Sequence, residues 1–162
     1  MICDVSTIMN VEGASASFSG KLDEFMLSPD VKVSETNLNG KISCSGGVLV
    51  LEAEVSAELI TSCARCLKEI TVPIQFDFNE TLVLSGQETT EDVDSVIFFE
   101  GKEIDVGEIA ANNLLLNISS KYVCRDDCAG LCPKCGKDLN EGECGCDFFE
   151  IDERWEKLKN FK

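Results

Sequence analysis

The sequence predicts an α+β domain, a mostly antiparallel curved sheet with one packed helix, followed by a small cysteine-rich C-terminal tail. Three observations support this prediction. Apolar and polar residues alternate along two long segments, an amphipathic segment begins near residue 106, and six of the ten cysteines fall between residues 124 and 146. Alternation with a period of two is typical of strands, and recurrence every three or four residues is typical of helices.

The strand prediction is clearest in the middle of the chain. Apolar residues occupy every second position in Leu51–Leu59 and again in Ile70–Phe78. Each segment predicts a strand with one solvent-facing side. Pro73 has no N–H to donate to a ladder, which predicts a free strand edge at that point. Residues 1–47 predict short strands and turns, and Val96–Phe99 predicts one further strand.

The helix prediction begins at a capping signal. Asp105 is followed three positions later by Glu108, a spacing that favours a helix N-terminus. Apolar residues then recur at helical spacing over Val106–Ile118, which we expect to cover one face of the sheet. Polar and acidic residues from 86 to 94 predict a mobile loop, and Arg154–Leu158 predicts a short terminal helix.

The domain boundary is predicted near Tyr122. Residues 1–121 would form the α+β core domain, and residues 122–162 the cysteine-rich tail with its short terminal helix. The chain of 162 residues is long enough for one ordinary domain and a small appendage, and 44% of its residues are hydrophobic.

The charge and residue composition exclude several functions. The net charge is -16, from 30 acidic and 14 basic residues, so a basic protein partner is favoured over RNA, whose phosphates bind basic surfaces. The chain contains no histidine, which excludes Ser-His-Asp and Cys-His catalysis and every histidine-containing zinc site. The sequence therefore predicts a protein that is not an enzyme and has no small-molecule substrate.

The predicted compartment is the cytoplasm. No apolar run approaches the ~20 residues that cross a bilayer, and the first residues do not resemble a signal peptide. We expect no membrane partner. In a reducing cytoplasm, clustered cysteines bind metal more often than they form disulfides.

The tail carries the strongest chemical signal in the chain. Cys132-Pro133-Lys134-Cys135-Gly136 has the spacing of a zinc knuckle, in which two thiolates converge on one ion and a glycine permits the following turn. Zinc requires four ligands, and the spacing does not decide which other pair completes the site. Disulfides, an iron–sulfur cluster and free thiols remain the alternatives to zinc. The candidate metal ligands of the tail are Cys124, Cys128, Cys132, Cys135, Cys144 and Cys146.

A second, shorter motif lies between the two long predicted strands. Cys63 and Cys66 have the same spacing as the knuckle and surround Arg65. The pair would bind metal, act as a dithiol or simply pack, and in the first case the eight cysteines would make two zinc sites. Arg65 would be a solvated or locally paired side chain, or would contact a partner or an RNA phosphate. Cys3 and Cys44 are interpreted as ordinary buried residues.

These motifs resemble those of a known family. The central segment is similar to the central motif of the YceD-like bacterial proteins, described as large ribosomal RNA subunit accumulation factors, and the tail resembles that of one branch of this family. The opening Asp4-Val5-Ser6 and the helix after Asp105 also match. The resemblance is carried by Cys63–Leu67, Pro73, Phe76–Glu80, Asp127–Gly136, Leu139-Asn140 and Cys144–Cys146.

The resemblance implies a role in 23S ribosomal RNA accumulation and large-subunit biogenesis, with no enzymatic reaction. Together with the charge, it leads us to expect a basic ribosomal protein or a ribosome-assembly or processing factor as partner, with direct RNA contact left open. A thiol redox or metal-sensing protein that uses Cys63 and Cys66 is the alternative. A catalytic zinc site is disfavoured, because an excess of thiols leaves no open coordination position.

Overall fold

The computed structural model describes residues 1–87 and 95–146, and the chain divides into two compact units. Unit 1 combines Met1–Thr61 with Glu69–Ser120, and unit 2 combines Ser62–Lys68 with Lys121–Lys162. The predicted boundary near Tyr122 places the segment around Cys63 in the core domain of residues 1–121, whereas in the structure this segment belongs to the unit that carries the tail. Most of the predicted loop at 86–94 and the predicted helix Arg154–Leu158 lie outside the described residues.

Unit 1 is built on antiparallel strands. Within the described ranges, β2, β5 and β6 are successive neighbours, β4 pairs with the far end of β6 and also with β3, and β7 pairs with β6. The pair β7–β8 is parallel, and β1 and β9 form a separate antiparallel two-stranded sheet. The strands are β1 (Ile2–Asp4), β2 (Ser15–Leu22), β3 (Phe25–Ser28), β4 (Val31–Val33), β5 (Thr36–Ser45), β6 (Val48–Ser62), β7 (Glu69–Leu84), β8 (Val96–Phe99) and β9 (Glu103–Asp105).

The two long strands follow the predicted alternation. Every second side chain of β6 from Leu51 to Leu59 is buried, and the side chains between them are more exposed. In β7 the apolar positions Ile70–Phe78 are the more buried ones. Pro73 lies in the part of β7 that β8 does not reach, because β8 pairs only with Thr81–Leu84. Since β6 ends at Ser62 and β7 begins at Glu69, the connection between them is the short segment that contains Cys63 and Cys66.

The hairpin between β5 and β6 depends on two glycines. Gly46 and Gly47 both have positive φ angles, of 61° and 84°. A two-residue hairpin loop with two positive φ angles matches the twist of the flanking strands, and glycine adopts these angles without steric cost. This turn sets the β5–β6 register, in which Ser45 lies opposite Val48.

The helix α1 (Val106–Asn117) begins at the predicted cap. The Asp105 carboxylate accepts hydrogen bonds from the N–H groups of Gly107 and Glu108, which have no partner within the helix. Val106, Ile109 and Ala110 join a hydrophobic core with side chains of β5, β6 and β7. The predicted class, α+β with a mostly antiparallel sheet and one helix, is confirmed for the described residues. None of their helices is long and apolar enough to span a membrane.

Candidate metal centre

The segment that joins β6 to β7 folds into a knuckle around Cys63. The N–H of Arg65 donates to Cys63 Sγ over 3.4 Å, and the N–H of Leu67 donates to the Cys63 carbonyl over 2.9 Å. The N–H of Cys63 donates in turn to the Lys68 carbonyl over 2.8 Å. We call Cys63–Lys68 the connector knuckle.

The predicted zinc knuckle in the tail repeats this pattern bond for bond. The N–H of Lys134 donates to Cys132 Sγ over 3.4 Å, and the N–H of Gly136 donates to the Cys132 carbonyl over 2.9 Å. The N–H of Cys132 donates to the Lys137 carbonyl over 2.8 Å. We call Cys132–Lys137 the tail knuckle. Because the two pairs of cysteines share one backbone geometry, both present two sulfurs on the same side.

Each knuckle meets a second pair of cysteines. In each of the two resulting groups, the four sulfur atoms lie within 4.8 Å of one another. The connector cluster consists of Cys63, Cys66, Cys124 and Cys128, and the tail cluster consists of Cys132, Cys135, Cys144 and Cys146.

The connector cluster is assembled from segments far apart in the sequence. Cys63 Sγ lies 3.9 Å from Cys128 Sγ, and Cys66 Sγ lies 3.8 Å from Cys124 Sγ. The N–H of Cys124 also donates to Cys63 Sγ over 3.3 Å. Cys63, Cys66 and Cys128 are buried, whereas Cys124 is exposed.

Arg65 ties the connector knuckle to the tail. Its Nη1 donates to the carbonyls of Asp126 and Cys128, over 2.9 and 3.0 Å. The Arg65 carbonyl accepts from the N–H of Leu131 over 3.1 Å. Gly130, with a φ of 75°, lies so close that an added Cβ would be 3.0 Å from the Arg65 carbonyl oxygen. The arginine singled out in the sequence therefore has a structural role beside the cluster.

Asn140 links the loop of the tail cluster to the connector cluster. It lies in a 3-10 turn (Leu139–Glu141), and its Nδ2 is 3.5 Å from Cys128 Sγ. Its Oδ1 accepts from the N–H of Ala129 and from Arg125 Nη2. In the sequence Asn140 stands out only as part of a family motif, and this contact is not predicted, since nothing in the spacing connects residue 140 with residue 128.

Backbone N–H groups favour the thiolate of the first cysteine in each knuckle, and in the connector cluster hydrogen bonds from Asn140 and from the Gly130 N–H also lower the pKa of Cys128 against the opposing effect of burial. Hydrogen bonds, first from the N–H of Cys66, lower the pKa of Cys63 to about 6, against the opposing effect of burial. The N–H of Cys135 is the main cause that lowers the pKa of Cys132 to about 6. The pKa of Cys124 is raised to about 12 through its hydrogen bond with the Cys128 sulfur, and that of Cys146 to about 12 through its bond with Cys135.

The donor set of each cluster fits a tetrahedral metal ion. Four sulfurs within 4.8 Å of one another, with backbone N–H groups donating to one of them in each cluster, could hold a metal ion in a closed structural site of the kind that zinc occupies. The spacing of the tail left open which pair completes the tail knuckle, and the structure brings Cys144 and Cys146 to it. Cys124 and Cys128 join Cys63 and Cys66 instead. Cys44 lies buried in the core of unit 1, as expected, whereas Cys3 is only partly buried and packs against that core.

Comparison with known proteins agrees with the motifs. Residues 51–162 match the family model described as large ribosomal RNA subunit accumulation protein YceD. The chain belongs to the YceD family. The family resemblance of the sequence is thereby confirmed, and the YceD match includes every cysteine of both clusters.

Relatives of this YceD chain include uncharacterized proteins of Mycobacterium tuberculosis and Mycobacterium bovis. Each is 37% identical over 119 residues, which are 72% of this chain and 56% of the relative. The chain thus spans about half the length of these curated relatives. A protein of Arabidopsis thaliana, the chloroplastic large ribosomal RNA subunit accumulation protein YCED homolog 1, is 35% identical over 63 residues, 39% of this chain and 20% of that protein. No solved structure matches the chain.

Proposed function

We propose that this chain is a non-enzymatic, cytoplasmic factor that supports 23S ribosomal RNA accumulation and large-subunit biogenesis. Membership of the YceD family, whose description names large ribosomal RNA subunit accumulation, carries the proposal. In this proposal two structural zinc ions, one in each four-cysteine cluster, stabilise unit 2 of the chain.

The closed donor sets support a structural role for the metal. A catalytic zinc site keeps one position for water or substrate, whereas four thiolates occupy all positions of the tetrahedron. A metal ion also supplies stability to a small unit in which the buried hydrophobic residues, among those that the structure describes, are four cysteines of the two clusters. We therefore expect about two zinc ions per chain and no hydrolytic activity.

The partner is a basic protein. With a net charge of -16, the chain attracts basic surfaces at long range and repels phosphate groups. A basic ribosomal protein or a basic assembly or processing factor has the required charge. By shielding such a partner, this chain would protect the precursor RNA indirectly.

The thiol redox alternative has less support. A redox dithiol needs two cysteines that pair with each other, but Cys63 and Cys66 each also lie within 4 Å of a tail sulfur, in a group of four thiols. Four converging thiols favour metal binding over a two-cysteine couple.

The test is depletion of the protein in its own cells, followed by the ratio of 23S to 16S ribosomal RNA. We expect a selective loss of 23S RNA that the wild-type chain restores. An unchanged ratio would reject the ribosomal role.

Complementing variants separate zinc from redox function. Cys128→Ser removes a proposed metal ligand but leaves Cys63 and Cys66 intact, so it fails to restore 23S RNA if zinc matters and succeeds if the dithiol does the work. The double variant Cys63→Ser, Cys66→Ser ends the redox hypothesis if it restores 23S RNA fully. Cys3→Ser, outside both clusters, is the matched control and restores 23S RNA in either case.

A further inference from the structure

The two knuckles share every backbone hydrogen bond described above but differ at the residue that follows the second cysteine. The position after the second cysteine has a left-handed backbone conformation in both, with φ of 60° at Leu67 and 74° at Gly136. Among residues 1–87 and 95–146, Leu67 is the single non-glycine residue with a positive φ. The same turn is thus built once with glycine and once with leucine.

Leucine is a poor residue for this backbone conformation. In the left-handed region the Cβ of an L-residue approaches the following carbonyl oxygen, whereas glycine has no Cβ and adopts the conformation freely. Asparagine is the next most tolerant residue type. The backbone of the connector knuckle therefore gains nothing from leucine at this position.

Packing does not explain leucine either. The Leu67 side chain is 66% exposed, although the adjacent ligand Cys66 is only 7% exposed. The knuckle beneath it is well anchored, because Arg65 donates to two tail carbonyls and Cys63 accepts from the N–H of Cys124. Leu67 therefore has an exposed apolar side chain, a strained backbone conformation and a place in a knuckle that hydrogen bonds hold rigidly.

Strained residues concentrate at sites of function, where the surrounding structure compensates for the strain. An isolated exposed apolar residue is ordinary by itself. Leu116, for example, is 81% exposed on α1, but its helical backbone is unstrained. The combination of exposure, strain and a rigid support distinguishes Leu67.

We propose that Leu67 is an apolar anchor, which docks into an apolar pocket on the basic protein partner. The inference rests on the proposed function for the nature of that partner. Charge favours a protein over RNA, because a chain with a net charge of -16 must approach its partner before a short apolar side chain makes contact. A rigid anchor loses little conformational freedom on binding, which favours affinity.

The first test uses Leu67→Gly and Leu67→Asn, two changes that the left-handed backbone accepts. We expect both variants to retain the zinc content and thermal midpoint of the wild type, or a higher midpoint, and yet to fail to restore 23S RNA in depleted cells. The matched control is Leu116→Gln, an exposed leucine on an unstrained helix, which we expect to restore it. Full restoration by Leu67→Asn, or a loss of zinc or of thermal stability in both Leu67 variants, would overturn the inference.

The second test identifies the partner directly. A photo-cross-linking amino acid at position 67 should give an adduct that protease destroys and ribonuclease does not, with a basic ribosomal or assembly protein found in it by mass spectrometry. With the adducted protein purified, Leu67→Asn should weaken binding about ten-fold or more, as expected for an interface hot spot. The same group at position 116 should give no such adduct.

An RNA adduct at position 67, or equal adducts at both positions, contradicts the anchor. These outcomes are separate from the fate of the proposed function. If depletion leaves 23S RNA unchanged but position 67 cross-links specifically to a basic protein, the ribosomal role fails and the anchor remains.

Discussion

The connector cluster and the tail cluster use the same knuckle but close it in different ways. The tail cluster is local, because its four ligands lie between Cys132 and Cys146. The connector cluster joins ligands such as Cys66 and Cys124, which are 58 positions apart. It is also the more buried, with three buried ligands against one in the tail cluster. The same backbone motif thus contributes two ligands to a site that closes a short loop and two to a site that closes a long loop.

The difference predicts an unequal contribution to stability. Closing a longer loop removes more conformational entropy from the unfolded chain, so a metal ion at the connector cluster should stabilise the fold more than one at the tail cluster. Asn140 makes the two sites unequal in a second way, since a residue in the loop of the tail cluster contacts a ligand of the connector cluster.

The largest expected effect is the loss of one connector ligand. Both Cys128→Ser and Cys144→Ser should reduce the zinc content from about two ions per chain to about one, as measured by inductively coupled plasma mass spectrometry. Cys128→Ser should lower the thermal midpoint more, because it opens the long loop. Equal midpoints in the two variants would show that loop length does not matter here.

Both clusters should show a change in pH dependence near pH 6, and the connector cluster has in Cys128 a further ligand whose pKa is lowered. The pKa values of Cys63 and Cys132, each about 6, lie below the ordinary 9.0 of a cysteine, so one ligand per cluster is already a thiolate at pH 7. Below pH 6 this ligand also binds a proton that zinc must displace, so zinc affinity falls more steeply with acidification there than above pH 6.

Competition with a chelator from pH 5 to 8 measures zinc affinity as a function of pH, and we expect the slope of this dependence to change near pH 6. We call this change of slope the bend. In Cys144→Ser only the connector cluster keeps four cysteines, and in Cys128→Ser only the tail cluster does, so each cluster is titrated separately. A bend near pH 6 in one variant and none in the other would mean that the equivalent N–H bonds do not act equally on the two thiolates.

An intermediate effect is expected for Asn140→Ala. Removing a side chain that orients a ligand typically weakens metal affinity by about 10- to 100-fold. We expect a loss of about ten-fold at the connector cluster, through Cys128, and a smaller one at the tail cluster, although residue 140 lies between tail ligands. Zinc competition on the single-cluster variants measures both, with Asn37→Ala on the exposed side of β5 as control. A loss confined to the tail cluster would contradict the link.

The smallest effect is expected for Gly136→Ala. An added Cβ at Gly136 meets no atom within 4 Å, so its cost is conformational, about 1 kcal/mol for a left-handed L-residue. Chemical denaturation should report this loss at unchanged zinc content. Gly130→Ala, where the Cβ is 3.0 Å from the Arg65 carbonyl oxygen, should cost more, and the reverse order would contradict the assignment of strain.

Local patterns predicted most of unit 1. The period of two in β6 and β7 follows from which side chains meet the core, and Asp105 caps α1 because neighbouring N–H groups need an acceptor. The turn at Gly46-Gly47 has a different local cause, because glycine adopts positive φ angles without steric cost. The pairing of β4 with the far end of β6 and the parallel pair β7–β8 were not visible, since they depend on contacts between segments whose patterns are compatible with many partners.

For the candidate site, the sequence by itself determined the ligand chemistry, because it shows the cysteines, their knuckle spacing and the absence of histidine. It also determined the acidic net charge. Only the tertiary structure decided which thiols belong together. Cys124 and Cys128 have a spacing that suits either knuckle, and only the packing of the tail against the connector knuckle assigns them to Cys63 and Cys66. The roles of Arg65 and Asn140 were decided in the same way, because hydrogen bonds between distant segments leave no periodic signal in the chain.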